Sequence, residues 1–238
     1  MINRSTLLVF VVCALLTGCA TTGYGMQGGR WVFVHPAGDS WTDTESDPIE
    51  GADISSFKLL SDSEYAADKN AVYYRGDKIP NAIPSSFRHF GGDYWSDASH
   101  VFFVNEELSG ANPKTFSPLP IAPWSRDDKL CFRASSLVPS SDPKTFVAID
   151  FHWAKDATHY YAYKFANVFI VPCDYSTMKV LSRSYAKDKD RVFWLGKEVV
   201  GADAATFEPV GCCMGKDKFR RYSGPEEFWM DKKARATN

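Results

Sequence analysis

The sequence predicts an all-β repeat protein of about six β-hairpins, each followed by a short capped helical turn, in a solenoid-like or closed array. Three observations predict it. An aspartate recurs at Asp68, Asp97, Asp127, Asp156, Asp188 and Asp217, in steps of 29, 30, 29, 32 and 29 residues. The first five follow, by three residues, Tyr65, Tyr94, Trp124, Trp153 and Tyr185, and precede two apolar residues four and five positions on. A second element, a capping acid or amide followed by phenylalanine, recurs between successive aspartates. A fixed period of about 30 residues marks units that bury their apolar faces against their neighbours.

Within one repeat the elements follow in order. Asp68-Lys69-Asn70, Asp97-Ala98-Ser99, Asp127-Asp128-Lys129, Asp156-Ala157-Thr158 and Asp188-Lys189-Asp190 suit a hairpin bend, because aspartate folds its side chain onto the backbone two residues on. These five aspartates are therefore structural turn residues, and Asp97→Asn, which keeps the turn chemistry, is expected to be almost neutral. After each bend come Val72-Tyr73, Val101-Phe102, Cys131-Phe132, Tyr160-Tyr161 and Val192-Phe193. Consecutive strand residues point to opposite faces, so two apolar neighbours in every repeat mean that both faces are covered. The second element reads Gly51-Ala52-Asp53-Ile54-Ser55-Ser56-Phe57, with echoes ending at Phe87, Phe116, Phe146 and Phe207. Asp or Asn before Pro, as in Asn112-Pro113 and Asp142-Pro143, is the expected opening of a short helix. The phenylalanine then plugs the core between hairpins.

The repeat plan is distorted in places. The fourth repeat is three residues longer and carries Met178 in place of phenylalanine. Trp31-Val32-Phe33-Val34 reads as an orphan second strand, joined to its helical turn by the segment from His35 to Glu50. The sixth repeat decays after Asp217 into a capping unit, and residues 229–238 read as a disordered tail.

The N-terminus resembles that of bacterial lipoproteins. Arg4 precedes an apolar stretch from Leu7 to Leu16, and Leu16-Thr17-Gly18-Cys19 resembles a lipobox. The stretch is shorter than the roughly 20 residues of a membrane-spanning helix. The resemblance implies a signal peptide over 1–18 and lipid on Cys19. Ala20 after that cysteine implies the outer membrane, with the protein at its periplasmic face. Residues 20–29, rich in glycine, read as a flexible tether, and 30–228 as one repeat domain.

Asp68-Lys69-Asn70-Ala71-Val72-Tyr73-Tyr74 resembles the signature of the bacterial DKNYY repeat family, and Asp188-Lys189-Asp190-Arg191-Val192-Phe193-Trp194 matches next best. The resemblance covers roughly residues 49–228. It implies envelope-associated repeat proteins without an assigned activity, cofactor or catalytic residue.

Composition narrows the function. With 27 basic and 29 acidic residues the chain has no basic excess for nucleic acid. His100 and His159 each follow a turn aspartate by three residues, at a position otherwise held by Ala71, Leu130 and Arg191, as expected of a variable site. Asp127-Asp128 and Asp188-Lys189-Asp190 lack the ligand spacing of a calcium loop and read as solvated hairpin tips. Cys131 takes a valine position and reads as a buried hydrophobe, while Cys173 has Cys212 and Cys213 as possible disulfide partners. The segment from His35 to Glu50 contains no lysine or arginine. Its Trp41, Asp43, Glu45 and Asp47 form a candidate partner-binding patch for a basic surface. The expected function is thus noncatalytic protein binding, with immunity against a periplasm-acting toxin as the specific form. The alternatives are an envelope polysaccharide-binding or assembly lipoprotein, with exposed aromatic faces such as Trp95 and Trp194, and a periplasmic hydrolase.

Overall fold

The computed structural model describes residues 22–39, 42–211 and 213–227. The chain is all-β, with one three-stranded and six four-stranded antiparallel sheets among the described residues. It divides into two compact units, one ending at Lys78 and the other beginning at Ile79.

Each four-stranded sheet is a meander built around the hairpin that the aspartate closes. In the first repeat the inner strands are Tyr65–Ala67 and Val72–Tyr74, with Ala67 facing Val72 and Tyr65 facing Tyr74. Outside them lie Lys58–Leu59 and Asp77–Lys78. The sequence reading of two-stranded units is thereby corrected: every hairpin gains a short strand on either side. Two residues are too few to establish an alternating pattern, so periodicity could not find these strands.

The helical turns are corrected as well, since no helix occurs among the described residues. Asp53 C=O accepts from the amides of Ser56 and Phe57 at 3.2 and 3.0 Å, and Asn112 C=O from Thr115 and Phe116 at 3.1 and 2.9 Å. That is one hydrogen-bonded turn. The residue after the phenylalanine joins a strand, so the turn never offsets the nucleation cost of a helix.

The phenylalanines fill the spaces between successive hairpins. In the second unit, Phe146 is buried with Trp124, Cys131 and Val138 of its own repeat and Ala154 and Tyr161 of the next. Phe116 does the same with Tyr94, Val101 and Leu108 against Phe132, and Phe207 with Tyr185, Val192 and Val199 against Tyr222. Met178 takes the role in the long repeat, among Trp153, Tyr160, Val171, Ala186 and Phe193. The two apolar residues after each bend therefore serve different layers. The residue four after the aspartate (Val101, Cys131, Tyr160, Val192) faces the layer shared with the following repeat, and its neighbour (Phe132, Tyr161, Phe193) the layer shared with the preceding one.

In the long repeat the added residues extend the strands to Tyr160–Lys164 and Asn167–Ile170. The sixth repeat, read as decaying, completes its sheet with Glu208–Pro209, Met214–Lys216, Arg221–Ser223 and Glu226–Glu227.

The N-terminal sheet corrects two further readings. Arg30–Pro36 is no orphan: it is the central strand between Gly23–Gln27 and Thr44–Pro48. The supposed flexible tether thus contributes a strand, turning at Gly28 and Gly29, whose φ values of 56° and 77° match a tight hairpin. Ile49 N–H donates to Trp31 C=O at 2.9 Å, as Val138 N–H does to Cys131 C=O and Val199 N–H to Val192 C=O. The sheet is thus a modified repeat without the aspartate. Trp31 stacks on Phe57 with ring centroids 4.5 Å apart, and Phe57 meets Tyr73 at 5.5 Å. Residues 1–21, with Cys19, and 228–238 lie outside the described residues, as does Trp41.

Candidate functional site

The turn aspartates bury a carboxylate in the first five repeats, where Asp68, Asp97, Asp127, Asp156 and Asp188 are 2–5 % exposed, and Asp217 of the sixth is half-buried. Each oxygen has its own duty. Asp68 Oδ1 accepts from the amides of Asn70 and Ala71 at 2.6 and 2.8 Å, closing its own bend. Oδ2 accepts from the Asp53 amide at 2.7 Å, fastening the bend to the preceding turn, and from Tyr73 Oη at 2.9 Å. The fastening recurs from Ile83 to Asp97, Asn112 to Asp127, Asp142 to Asp156, Asp174 to Asp188 and Asp203 to Asp217, at 2.8–3.0 Å. The solvated tip expected at Asp127 and Asp188 is corrected accordingly: only Asp128 and Asp190 are exposed.

Burial by itself would push these carboxyls up. The converging donors outweigh it and hold Asp68, Asp97, Asp156, Asp188 and Asp217 below the usual carboxylate range. Burial, with the carboxylate beside them, pushes the Tyr73 and Tyr161 hydroxyls up. In Tyr222 the same causes take the hydroxyl to about 12. At neutral pH these shifts favour the ionised aspartates and the neutral hydroxyls.

The lysine after the aspartate completes the arrangement. Lys69 Nζ lies 2.6 Å from Asp53 Oδ2, Lys189 Nζ 3.2 Å from Asp174 Oδ2, and Lys218 Nζ 2.8 Å from Asp203 Oδ2. Where that residue is Asp128, its partners become Thr115 Oγ1 at 2.5 Å and Asn112 Nδ2 at 3.3 Å. Both solutions fasten the bend to the preceding turn. The histidines join the same frame: His100 Nδ1 lies 3.2 Å from both Asp97 oxygens, and His159 Nδ1 3.9 Å from Asp156 Oδ1 and 2.8 Å from Thr158 Oγ1. Among the described residues no group of three or more His, Cys, Asp or Glu side chains is placed to hold a metal ion.

Two sets of contacts across the repeat seams went unseen in the sequence. The aromatic three residues before the aspartate reaches a backbone carbonyl in the loop leading to the next hairpin: Tyr94 Oη to Pro123 at 2.5 Å, Trp124 Nε1 to Asp150 at 2.7 Å, Trp153 Nε1 to Arg183 at 3.0 Å and Tyr185 Oη to Cys213 at 3.0 Å. The signal was present, since in the first five repeats this position is Tyr or Trp and never Phe, while the sixth carries Met214. A donor at the ring's far end is what the seam requires. The second contact is Arg133, 2 % exposed, at a position where other repeats carry Tyr74, Phe103 and Trp194. Its guanidinium lies 3.1 Å from the Tyr163 ring centroid and 4.3 Å from that of Phe151, while Nε donates to Phe151 C=O at 3.1 Å. Burial pushes its pKa down. The cation takes an aromatic's place by stacking.

The aromatic platform expected for polysaccharide is corrected. Trp95 is 2 % exposed and stacks on Phe87 at 5.3 Å, and Trp194 is half-buried under Lys164, whose Nζ lies 4.2 Å from its ring. Both faces of the inner strands are covered, which leaves the Trp95 ring inside and the Trp194 ring partly covered by a lysine. Cys131 is buried, which pushes its thiol up to about 11. Cys173 is a free thiol packed on the layer around Met178, Cys213 is exposed, and Cys212 lies outside the described residues.

The acidic segment is the part of the first unit that the repeat plan does not consume. It is no simple loop: Thr44–Pro48 pairs with Arg30–Pro36, placing Glu45 opposite His35 and Asp47 opposite Phe33. Asp43, Glu45 and Asp47 are exposed. Asp47 Oδ2 lies 2.9 Å from His35 Nε2. Hydrogen bonds to the Pro36 carbonyl and to Asp47 raise the His35 pKa.

A family model described as the DKNYY family matches residues 41–165, just over half of the chain. No curated protein matches the chain, and no solved structure matches it.

Proposed function

The chain belongs to the DKNYY family, and on that premise we propose that it is a noncatalytic protein-binding lipoprotein of the outer membrane, lipid-anchored through Cys19, that acts as an immunity protein against a periplasm-acting toxin. One observation carries the reading. The polar side chains that recur in the repeats are engaged by their own bends and seams, whereas Asp43, Glu45 and Asp47 stand exposed on a sheet outside that scheme. Exposed carboxylates without an intervening lysine or arginine suit a basic partner surface, which they would steer into contact. The anchor fits the position of the first strand. The first strand begins at Gly23, four residues after Cys19, a separation that even a fully extended chain spans in about 14 Å. The folded chain would be held against the membrane surface.

The test is a pull-down from envelope extract with the full chain as bait, wild type beside a variant lacking Trp41 and neutralised at Asp43, Glu45 and Asp47. The variant is expected to keep its thermal stability, because exposed side chains contribute little to the core, and to lose the partner. Equal recovery of every captured protein rejects the reading. Cys19→Ser is expected to move the protein from the membrane fraction to the soluble one without unfolding it. Unchanged fractionation would remove the lipid anchor from the proposal.

A further inference from the structure

The main-chain groups of the acidic segment are arranged as informatively as its carboxylates. Among the described residues Thr44–Pro48 is an edge strand, paired on one side only, in a sheet ordered Gly23–Gln27, Arg30–Pro36, Thr44–Pro48. Ile49 N–H donates to Trp31 C=O and Asp43 C=O accepts from Ala37 N–H, both at 2.9 Å. In an antiparallel pair the inward-facing residues alternate. Asp43, Glu45 and Asp47 therefore spend their backbone groups on the sheet, and Thr44, Ser46 and Pro48 turn theirs outward. The edge offers two N–H groups and three carbonyls, because Pro48 lacks a donor. Among the described residues, four of the six four-stranded sheets have strands of only two residues on both edges, too short to pair with a peptide, and the longer edges Gly23–Gln27, Arg88–Gly91 and Asn167–Ile170 carry no carboxylate.

We propose that Thr44–Pro48 takes up an extended, basic segment of the protein partner as an additional β-strand. This rests on the protein-binding reading above and gives its mode. Glu45 and Asp47 project from one face of the edge, so alternate side chains of an incoming strand would stand beside them. Lysine or arginine at those positions completes cross-strand opposite-charge pairs, and an acidic or apolar strand gains nothing there. Main-chain hydrogen bonds supply the affinity and the two carboxylates the selection. An acidic edge that only guards the sheet against other edges is the competing role.

The experiment titrates the full chain, in detergent, with a fluorescent peptide of alternating lysine and threonine, followed by anisotropy. Two derivatives keep every charge: one N-methylated on all lysines, the other on all threonines. The expected result depends on phase. One derivative binds at least about tenfold more weakly, the size of one or two lost hydrogen bonds, and the other like the parent. Ser46→Pro, which removes an outward N–H, should weaken the parent peptide similarly. Ser46→Ala, which loses only the 3.0 Å bond to Gln27 Oε1, should not. Glu45→Gln with Asp47→Asn should abolish the salt dependence. Equal binding by both methylated peptides means attraction by charge alone, and no binding by the parent peptide means a guarded edge. Either overturns the strand addition, while the pull-down scores the protein-binding reading independently.

Discussion

Replacing Phe146 with alanine is expected to destabilise the second unit by about 3–5 kcal/mol, the cost of emptying a well-packed aromatic site. Phe146 is 3 % exposed, and its ring lies 5.8 Å from that of Trp124 and 5.7 Å from that of Tyr161. It therefore touches the hairpins of Asp127 and Asp156 together. Neither rigid hairpin can collapse into the void without breaking its own ladder, so relaxation would recover little. Phe116 and Phe207 occupy equivalent layers and should behave alike, whereas Phe57, half-buried, should cost less. Urea titration followed by far-UV circular dichroism and tryptophan fluorescence measures the effect. A loss below about 1 kcal/mol would mean that the layers between hairpins do not carry the stability.

Asp156→Asn is expected to cost about 2–3 kcal/mol, and Asp156→Ala more. Asp156 accepts from the amides of Asp142, Thr158 and His159 at 3.0, 2.8 and 2.8 Å, and from Thr158 Oγ1 and Tyr161 Oη at 3.0 and 2.6 Å. Asparagine keeps one acceptor oxygen and must aim its NH₂ at donors on the other side. Buried donors left unmatched cost about 1–3 kcal/mol each. The near-neutral Asp97→Asn expected from turn chemistry is revised for the same reason, since Ile83 N–H needs the second oxygen. The carboxylates also set an acid limit. A carboxyl held below its unfolded value stabilises the fold at any pH above that value, roughly 3.9 for aspartate, and the contribution is lost as pH falls through the depressed folded value. The aspartate contribution should be level from about pH 5 to neutrality and decline below about pH 4, with a shallower decline in Asp156→Asn. A steep loss between pH 5 and 7 would contradict this assignment.

How far the sequence could be read depended on what each residue was asked to report. The hairpins were legible because aspartate, strand and phenylalanine recur at a fixed spacing, and the structure places Val101 beside Phe116 and Phe132 as that spacing requires. The burial of Trp95 was legible too, since Tyr94, Trp95 and Ser96 form one strand buried on both faces. Expecting its ring outside contradicted the covered-face argument made for the neighbouring strand. Gly28-Gly29 carried a hairpin signal, but Gly23 and Gly25, two of the five strand residues, disguised the strand before it. The flanking two-residue strands had no local signature, because their pairing is dictated by the hairpin they border. The second oxygen of each aspartate was equally silent. Its partner lies 14 or 15 residues upstream and is a backbone amide, a group that every sequence contains.

The donors that Tyr94, Trp124, Trp153 and Tyr185 send into the next repeat end on main-chain oxygen. A carbonyl carries no record of the side chain beside it. Pro123, Asp150, Arg183 and Cys213 serve alike, although they share no chemistry beyond the peptide bond. Outside the seam where Arg133 meets Tyr163 and Phe151, whole repeats are therefore expected to be gained, lost or shuffled by recombination without coevolving a new donor–acceptor pair of side chains at the junction. Related chains should differ in length by steps of about 30 residues, with the breakpoints falling in the loops ahead of the inner hairpins.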